Sequence, residues 1–210
     1  MKVALGIPSG DMVHADFANS LATLTAFCAG TQMCDIAIIN QKSSIVEKGR
    51  HYIIKKAMEK KADKILFLDS DMIFPRETLL RLLHHKKNIV GCNYPTRRMP
   101  IQPTCRDKGS NTLCGSKGLK EVGFIATGCL LIDMKVFKKI GEPYFVVEWD
   151  RKRKAHIGED YQFCDRVRHN GFKIFCDFDL SNRIFHIGTH LFNINDVQEK
   201  KKENLIQVIK

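Results

Sequence analysis

Lys64-Ile65-Leu66-Phe67-Leu68-Asp69-Ser70-Asp71 decides the fold. Four consecutive apolar residues, too few for a helix and closed by a polar turn, read as a β-strand buried on both faces. Strands of that kind belong to parallel sheets covered by helices. Upstream, Lys2 to Pro8 and Asp35 to Asn40 are two further short apolar strands. A helix from about Asp16 to Ala29, stopped by Gly30, separates them. Ser44 and Glu47 have the spacing of a capping box, opening a second helix that runs to about Lys61. Downstream, Pro75 suits the first turn of a helix reaching Leu83, and Asn88 to Gly91 is a fourth strand. The alternation predicts an α/β fold with a mostly parallel central sheet flanked by helices. Ligands of such sheets bind at the carboxyl ends of the strands. Here those ends are Pro8-Ser9-Gly10, Asn40-Gln41 and Asp69-Ser70-Asp71.

Beyond Tyr94 the pattern loosens. Residues 94–120 read as a long loop, Glu121 to Ile125 and Cys129 to Ile132 as strands, and Asp133 as the cap of a short helix. Tyr144 to Val147 is expected as a strand and 148–157 as a charged loop. Glu159 to Asn170 reads as a helix ended by Gly171. Lys173 to Cys176 and Arg183 to His186 are short strands, and a smaller β element is expected beside the main sheet. No repeat or linker divides the chain, so a single domain spans 1–210, with a charged helical tail over 193–210.

With 210 residues, 44% apolar and 27% charged, the chain is long enough for one well-packed core. Its longest uncharged, mostly apolar stretch, Gly123 to Ile132, falls well short of the ~20 residues of a membrane helix, so no transmembrane segment is expected. The first residues read as a strand rather than a signal sequence, which gives a cytoplasmic expectation. Eight dispersed cysteines without a C-x-x-C pair are expected as buried free thiols. Thirty-four Lys and Arg against 23 acids give a formal charge of +11, attractive to phosphates of any kind. The charges lie in short scattered clusters, the pattern of solvated surfaces.

Three groups of residues carry chemistry. In an extended chain Asp69 and Asp71 point the same way, placing two carboxylates together at the end of a buried strand. An oxygen-rich pair of that kind suits Mg²⁺ or Mn²⁺, which bridges readily to a diphosphate. Glu159 and Asp160, at the start of a helix, complement its dipole and equally supply a general base. His186, at a strand end with His190 four residues on, is a loop histidine or a third metal contact with Asp71. Arg50, in the middle of a helix, is a solvated arginine or a fork for a phosphate or base edge.

Taken in order, Ala4 to Gly10, Ile65 to Pro75, Thr127 to Ile132, Gly158 to Cys164 and His186-Ile187-Gly188 resemble a GT-A glycosyltransferase over roughly residues 2 to 190. The nearest likeness is to compact viral and phage enzymes, including those that large DNA viruses use on their own capsid glycans. For a viral protein the compartment is the host-cell cytoplasm. The resemblance implies a Rossmann-like single domain with a nucleotide-sugar-binding half (1–92) and an acceptor and catalytic half (93–192). It implies that Pro8, Ser9 and Gly10 hold the nucleoside, with Asn40 and Arg50 near the base or ribose. Asp69 and Ser70 would lie at the donor, Asp69 on ribose or metal, and Asp71 and His186 on the metal. Asp160, with Glu159, would be the catalytic acid pair, and Gly128 and Cys129 would lie under the acceptor sugar. The implied cofactors are Mn²⁺ or Mg²⁺ and a nucleotide-sugar, by family habit a UDP-sugar. The implied acceptor is a hydroxyl of a glycan or glycoprotein.

Two rivals fit less well. A sugar nucleotidyltransferase needs a basic, Gly-rich loop after the first strand, and Pro8-Ser9-Gly10-Asp11 is not one. A basic nucleic-acid-binding protein accounts for the charge but not for acids and a histidine at strand ends, so no nucleic-acid partner is expected.

Overall fold

The computed structural model describes residues 1–97, 100–109, 111–113, 115–151, 154–188 and 191–194. His190, Cys114 and the tail beyond Ile194 lie outside the described residues. In chain order the elements are β1 (Lys2–Ser9), α1 (Ala15–Thr31), β2 (Asp35–Lys42), α2 (Val46–Glu59), β3 (Lys64–Leu68), β4 (Met72–Ile73), α3 (Thr78–His84), β5 (Ile89–Gly91) and β6 (Leu119–Val122). There follow β7 (Cys129–Asp133), α4 (Met134–Ile140), β8 (Glu148–Asp150), β9 (Ala155–Ile157), α5 (Glu159–His169), β10 (Ile174–Asp177), α6 (Phe178–Ser181), β11 (Phe185–Ile187) and β12 (Leu191–Asn193).

Among the described residues seven strands form the central sheet, in the order β2-β1-β3-β7-β5-β10-β6. β1 pairs in parallel with β2 and β3, and β5 with β10. β7 enters antiparallel between β3 and β5, and β6 closes the far edge antiparallel to β10. Five of the seven strands therefore run the same way, and their carboxyl ends share one edge. β3 lies inside the sheet, between β1 and β7. Its Ile65 and Phe67 face one core with Ile53, Phe137 and Phe163, while Leu66 and Leu68 face the other with Phe17, Leu24 and Leu79. Burying each such side chain is worth ~1.5–3 kcal/mol, so the run that ends in Asp69 is anchored from both sides.

Several boundaries differ from the sequence reading. α2 starts at Val46 behind Ile45, without a side-chain cap; Ser43, not Ser44, bonds the backbone at Ile45. Tyr144 and Phe145 are buried core residues outside any strand. The stretch expected as a charged loop instead forms a hairpin, β8 on β9, with Trp149 opposite His156. Asp133 does cap α4, accepting from the Lys135 N–H at 3.0 Å. A second sheet, β12-β11-β4, lies beside the first. The seven cysteines described are free thiols, six of them buried.

Candidate functional site

The chain turns immediately after β3. The Met72 N–H donates to the Asp69 carbonyl at 3.1 Å, and the Asp69 N–H to the Gly128 carbonyl at 3.0 Å. The alternation of an extended strand therefore stops at Asp69, and the two carboxylates diverge. Asp69 turns to Arg50, whose Nη2 lies 3.0 and 3.2 Å from its two oxygens. Asp71 turns to His186 and Arg97. Asp69 and Asp71 thus meet different partners, and among the described residues no group of three or more His, Cys, Asp or Glu side chains gathers as metal ligands.

Arg50 is the hub of the first network. It is 2% exposed, neither a solvated helix arginine nor a fork reaching out to a base edge. Its Nη1 meets Glu159 Oε1 at 2.5 Å and Asp160 Oδ1 at 3.4 Å, and its guanidinium carbon lies 5.7 Å from the centre of the Phe145 ring. Burial works against its charge, but Asp69, Asp160 and Glu159 outweigh burial and hold it firmly protonated. Glu159 and Asp160 open α5 behind Gly158, in extended conformation, so they also complement the helix dipole. Asp160 accepts a further bond from Thr127 Oγ1 at 2.7 Å. Burial, offset in part by Arg50 and reinforced by Glu159, raises the Asp160 carboxyl to about 6.

The second network is built by β11 on β4. His186 pairs with Met72, and the Ile187 N–H donates to the Asp71 carbonyl at 2.7 Å. His186 Nδ1 lies 2.9 Å from the Pro95 carbonyl. A carbonyl only accepts, so Nδ1 carries a proton. Nε2 points at Asp71 Oδ2, 3.6 Å away. Arg97 Nη1 also reaches Oδ2, at 2.8 Å. Asp71 Oδ1 is buried and has no hydrogen-bond partner among the described residues. Burial resists the Asp71 charge, yet His186 and Arg97 prevail and lower its pKa. A buried carboxylate oxygen with no partner among the described residues, beside the second nitrogen of His186, fits a divalent cation. Mg²⁺-like ions take one or two protein ligands and complete their shell with water and phosphate oxygens.

Tyr94 links the networks. Its ring meets His186 edge-on with centroids 5.3 Å apart, and its hydroxyl accepts the Gly128 N–H at 2.7 Å. Gly128 is required by that approach, because a Cβ there would stand 2.4 Å from Tyr94 Oη and 3.1 Å from Asp69 Oδ2. Cys129 is fully buried, paired across the sheet with Leu68 and packed in the same core. At the β1 and β2 ends, Ser9 Oγ lies 2.7 Å from Asn40 Oδ1, beside the half-buried Pro8 and the open Gly10. The Ser70 carbonyl accepts from the His14 N–H at 3.4 Å. Tyr94, Arg97 and Thr127 were not singled out from sequence. Thr127 stood at the head of a noted motif, and Arg97 was read as surface charge.

No protein-family model matches the sequence, and no curated protein matches it either. Solved structures do resemble it. Protein A197 from STIV superposes with a TM-score of 0.65 at 18% identity, over 93% of this chain and 92% of that one. GalNAc-T7 with UDP, GalNAc and Mn²⁺ gives 0.52 at 10% identity, over 89% of this chain but 43% of the enzyme's. A mutant Drosophila β1,4-galactosyltransferase 7 with manganese, UDP-Gal and xylobiose gives 0.51 at 15% identity, over 98% of this chain and 77% of that one. The fold is that of the GT-A glycosyltransferases. Among the described residues no helix is long and apolar enough to cross a membrane.

Proposed function

We propose that the chain is a divalent-metal-dependent glycosyltransferase that moves a sugar from a nucleoside-diphosphate sugar, of the UDP class, to a hydroxyl of a glycan or glycoprotein. One observation carries the reading: the pairing of Asp71, whose Oδ1 has no partner among the described residues, with His186 Nε2 at the carboxyl end of β3. Two proteins of like fold, GalNAc-T7 and β1,4-galactosyltransferase 7, have UDP or UDP-Gal and manganese in their solved structures, which supports it.

Asp71 and His186 would hold Mn²⁺ or Mg²⁺. When bound, such an ion neutralises charge that builds on the departing diphosphate. Arg97, within reach of Asp71, adds a fixed positive charge on the same side. Pro8, Ser9, Gly10 and Asn40 line the ends of β1 and β2, the crevice where a nucleoside lies in sheets of this kind. Ser70 and Asp69 close its inner wall, and Arg50 fixes Asp69. Asp160 takes the acceptor's proton. Its carboxyl is raised to about 6 by burial, toward the range where a base is most effective. Glu159 is held closer to Arg50 than Asp160 is, and it positions the guanidinium instead of accepting a proton.

The test is thermal denaturation with UDP, GDP, dTDP or CMP, each with Mn²⁺ or with EDTA. A nucleotide at 100 times its Kd adds ~2.7 kcal/mol of stability. The expected result is a shift with UDP that vanishes in EDTA. No shift with any nucleotide would sink the reading.

A further inference from the structure

Residues Met12 to Gln41 contain no lysine or arginine, although the chain has 34 among its 210 residues. Their only acidic side chains are Asp16 and Asp35, so two of thirty residues are charged where the chain's 27% would give about eight. This segment is α1 and β2, and together they form a surface. α1 turns Ala15, Ala18, Ala22, Ala26 and Ala29 to solvent. β2 is one edge of the central sheet, and its Ile38 is 51% exposed. Two hollows of 360 and 610 Å³ lie between α1 and β2, and Thr25 and Ile38 line both, so they make one groove along the strand.

The two edges of the sheet are built differently. β6, at the far edge, has four residues with Lys120 and Glu121 in the middle, the usual protection against pairing with another strand. β2 has eight residues, and from Ile36 to Gln41 it has no charge and no proline. The Asp35 N–H donates to the Met1 carbonyl, and the Ser43 N–H to the Ser9 carbonyl, both at 3.0 Å. Odd-numbered residues therefore bond to β1, and the alternation leaves the main-chain groups of Ile36, Ile38 and Asn40 facing outward.

We propose that a second copy of this chain pairs antiparallel with β2, with Ile38 opposite Ile38 of the other copy, giving a two-fold dimer; the proposal is independent of the glycosyl-transfer reading. A two-fold axis through the sheet keeps each side chain on its own face, so Ile36 meets Asn40 of the other copy and Ala37 meets Ile39. The outward residues exchange about six main-chain hydrogen bonds. The exposed Ile38 side chains leave water together, in the joined grooves beside α1. Charge selects the occupant. Two chains of formal charge +11 repel each other, and least where neither presents lysine or arginine. At each end of the pair Asp35 comes within one residue of Lys42 of the other copy. Lys42 Nζ lies 3.0 Å from Asp11 Oδ1, and an ammonium keeps further donors beyond that one.

The experiment is sedimentation equilibrium of the whole chain over a dilution series, with amide hydrogen exchange on the same samples. The expected result is a reversible species of twice the 24.0 kDa chain mass. The amides of Ile36, Ile38 and Asn40 should exchange faster as it dissociates. Ile38→Lys sets two like charges opposite each other at a solvent-exposed position and should weaken association at least tenfold, with the melting temperature of the diluted chain unchanged. Ile38→Cys should give a disulfide-linked dimer under mild oxidation, because opposite Cα atoms in a hydrogen-bonded pair lie ~5.5 Å apart, within disulfide range. Ile36→Cys, opposite Asn40, should not. A monomer at every concentration, or a dimer that Ile38→Lys leaves intact, would overturn the proposal. A monomer in which these three amides are protected would show the edge capped from within one chain and would overturn the second copy as its occupant. Cross-linking through Ile36→Cys but not Ile38→Cys would overturn the pairing.

Discussion

Thr127 Oγ1 donates to Asp160 Oδ1 across 2.7 Å, joining the loop before β7 to the first turn of α5. The hydroxyl favours the ionised carboxylate, and burial disfavours it more strongly, leaving Asp160 at about 6. A carboxyl raised in the folded state binds its proton more tightly folded than unfolded. Its contribution to stability therefore falls as pH rises from about 4 to about 6, and stays flat above. Denaturant unfolding across that range should show the decline in the wild type and a shallower one in Asp160→Asn. The transfer rate should rise through about pH 6, and Thr127→Val should move that rise upward. A rate profile with no limb near pH 6 would remove Asp160 as the base.

Arg50 faces three carboxylates with 3% of its side chain exposed. Replacing it with methionine leaves Asp69, Glu159 and Asp160 to repel one another without a counter-charge. Breaking a buried pair of this kind costs about 3–5 kcal/mol. The loss should shrink below about pH 5, where the carboxylates take up protons. Arg50→Lys should recover only part of it, since an ammonium does not fork between Asp69 and Glu159. Equilibrium unfolding at pH 7.5 and pH 4.5 checks both statements; a cost independent of pH would show that packing, not charge, is what Arg50 supplies.

Gly128→Ala places a methyl 2.4 Å from the hydroxyl of Tyr94, a buried ring that has no room to retreat. Overpacking of this degree costs about 1–3 kcal/mol. Tyr94→Phe removes the acceptor of a buried N–H and costs about 1–3 kcal/mol by a different route. In the double variant the phenyl ring blocks the methyl only in part, so the loss should be smaller than the sum of the two single losses. A double-mutant cycle measured by unfolding reads that coupling, and strict additivity would count against the contact.

Much of the fold was legible because burial leaves its period in the chain. β1, β2, β3 and the helices between them follow from apolar runs and their stops. What escaped were features set by distant contacts. The insertion of β7 antiparallel beside β3 leaves no local mark, since Cys129 to Ile132 reads as a buried strand in either direction. The β8–β9 hairpin carries charge on its exposed residues and lacks the apolar alternation that would reveal it. At the site, Asp69, Asp71, Glu159, Asp160 and His186 were all legible as chemistry-bearing residues at element ends. Their grouping was not: a turn at Asp69 sends its carboxylate to Arg50, 19 residues away in sequence, while Asp71 goes to His186. Arg50 reads from its spacing as a solvated arginine or a fork for a phosphate or base edge, and only the tertiary fold buries it among three carboxylates.

The central claim is that Asp71 and His186 bind the donor through a divalent ion. Calorimetric titration of UDP into the wild type and into Asp71→Ala, in Mn²⁺ and in EDTA, tests it most directly. The account predicts saturable binding in the wild type that requires Mn²⁺, and a loss of at least tenfold in affinity in Asp71→Ala, equal to about 1.4 kcal/mol or more. Equal UDP affinity in wild type and variant with Mn²⁺ present would contradict it.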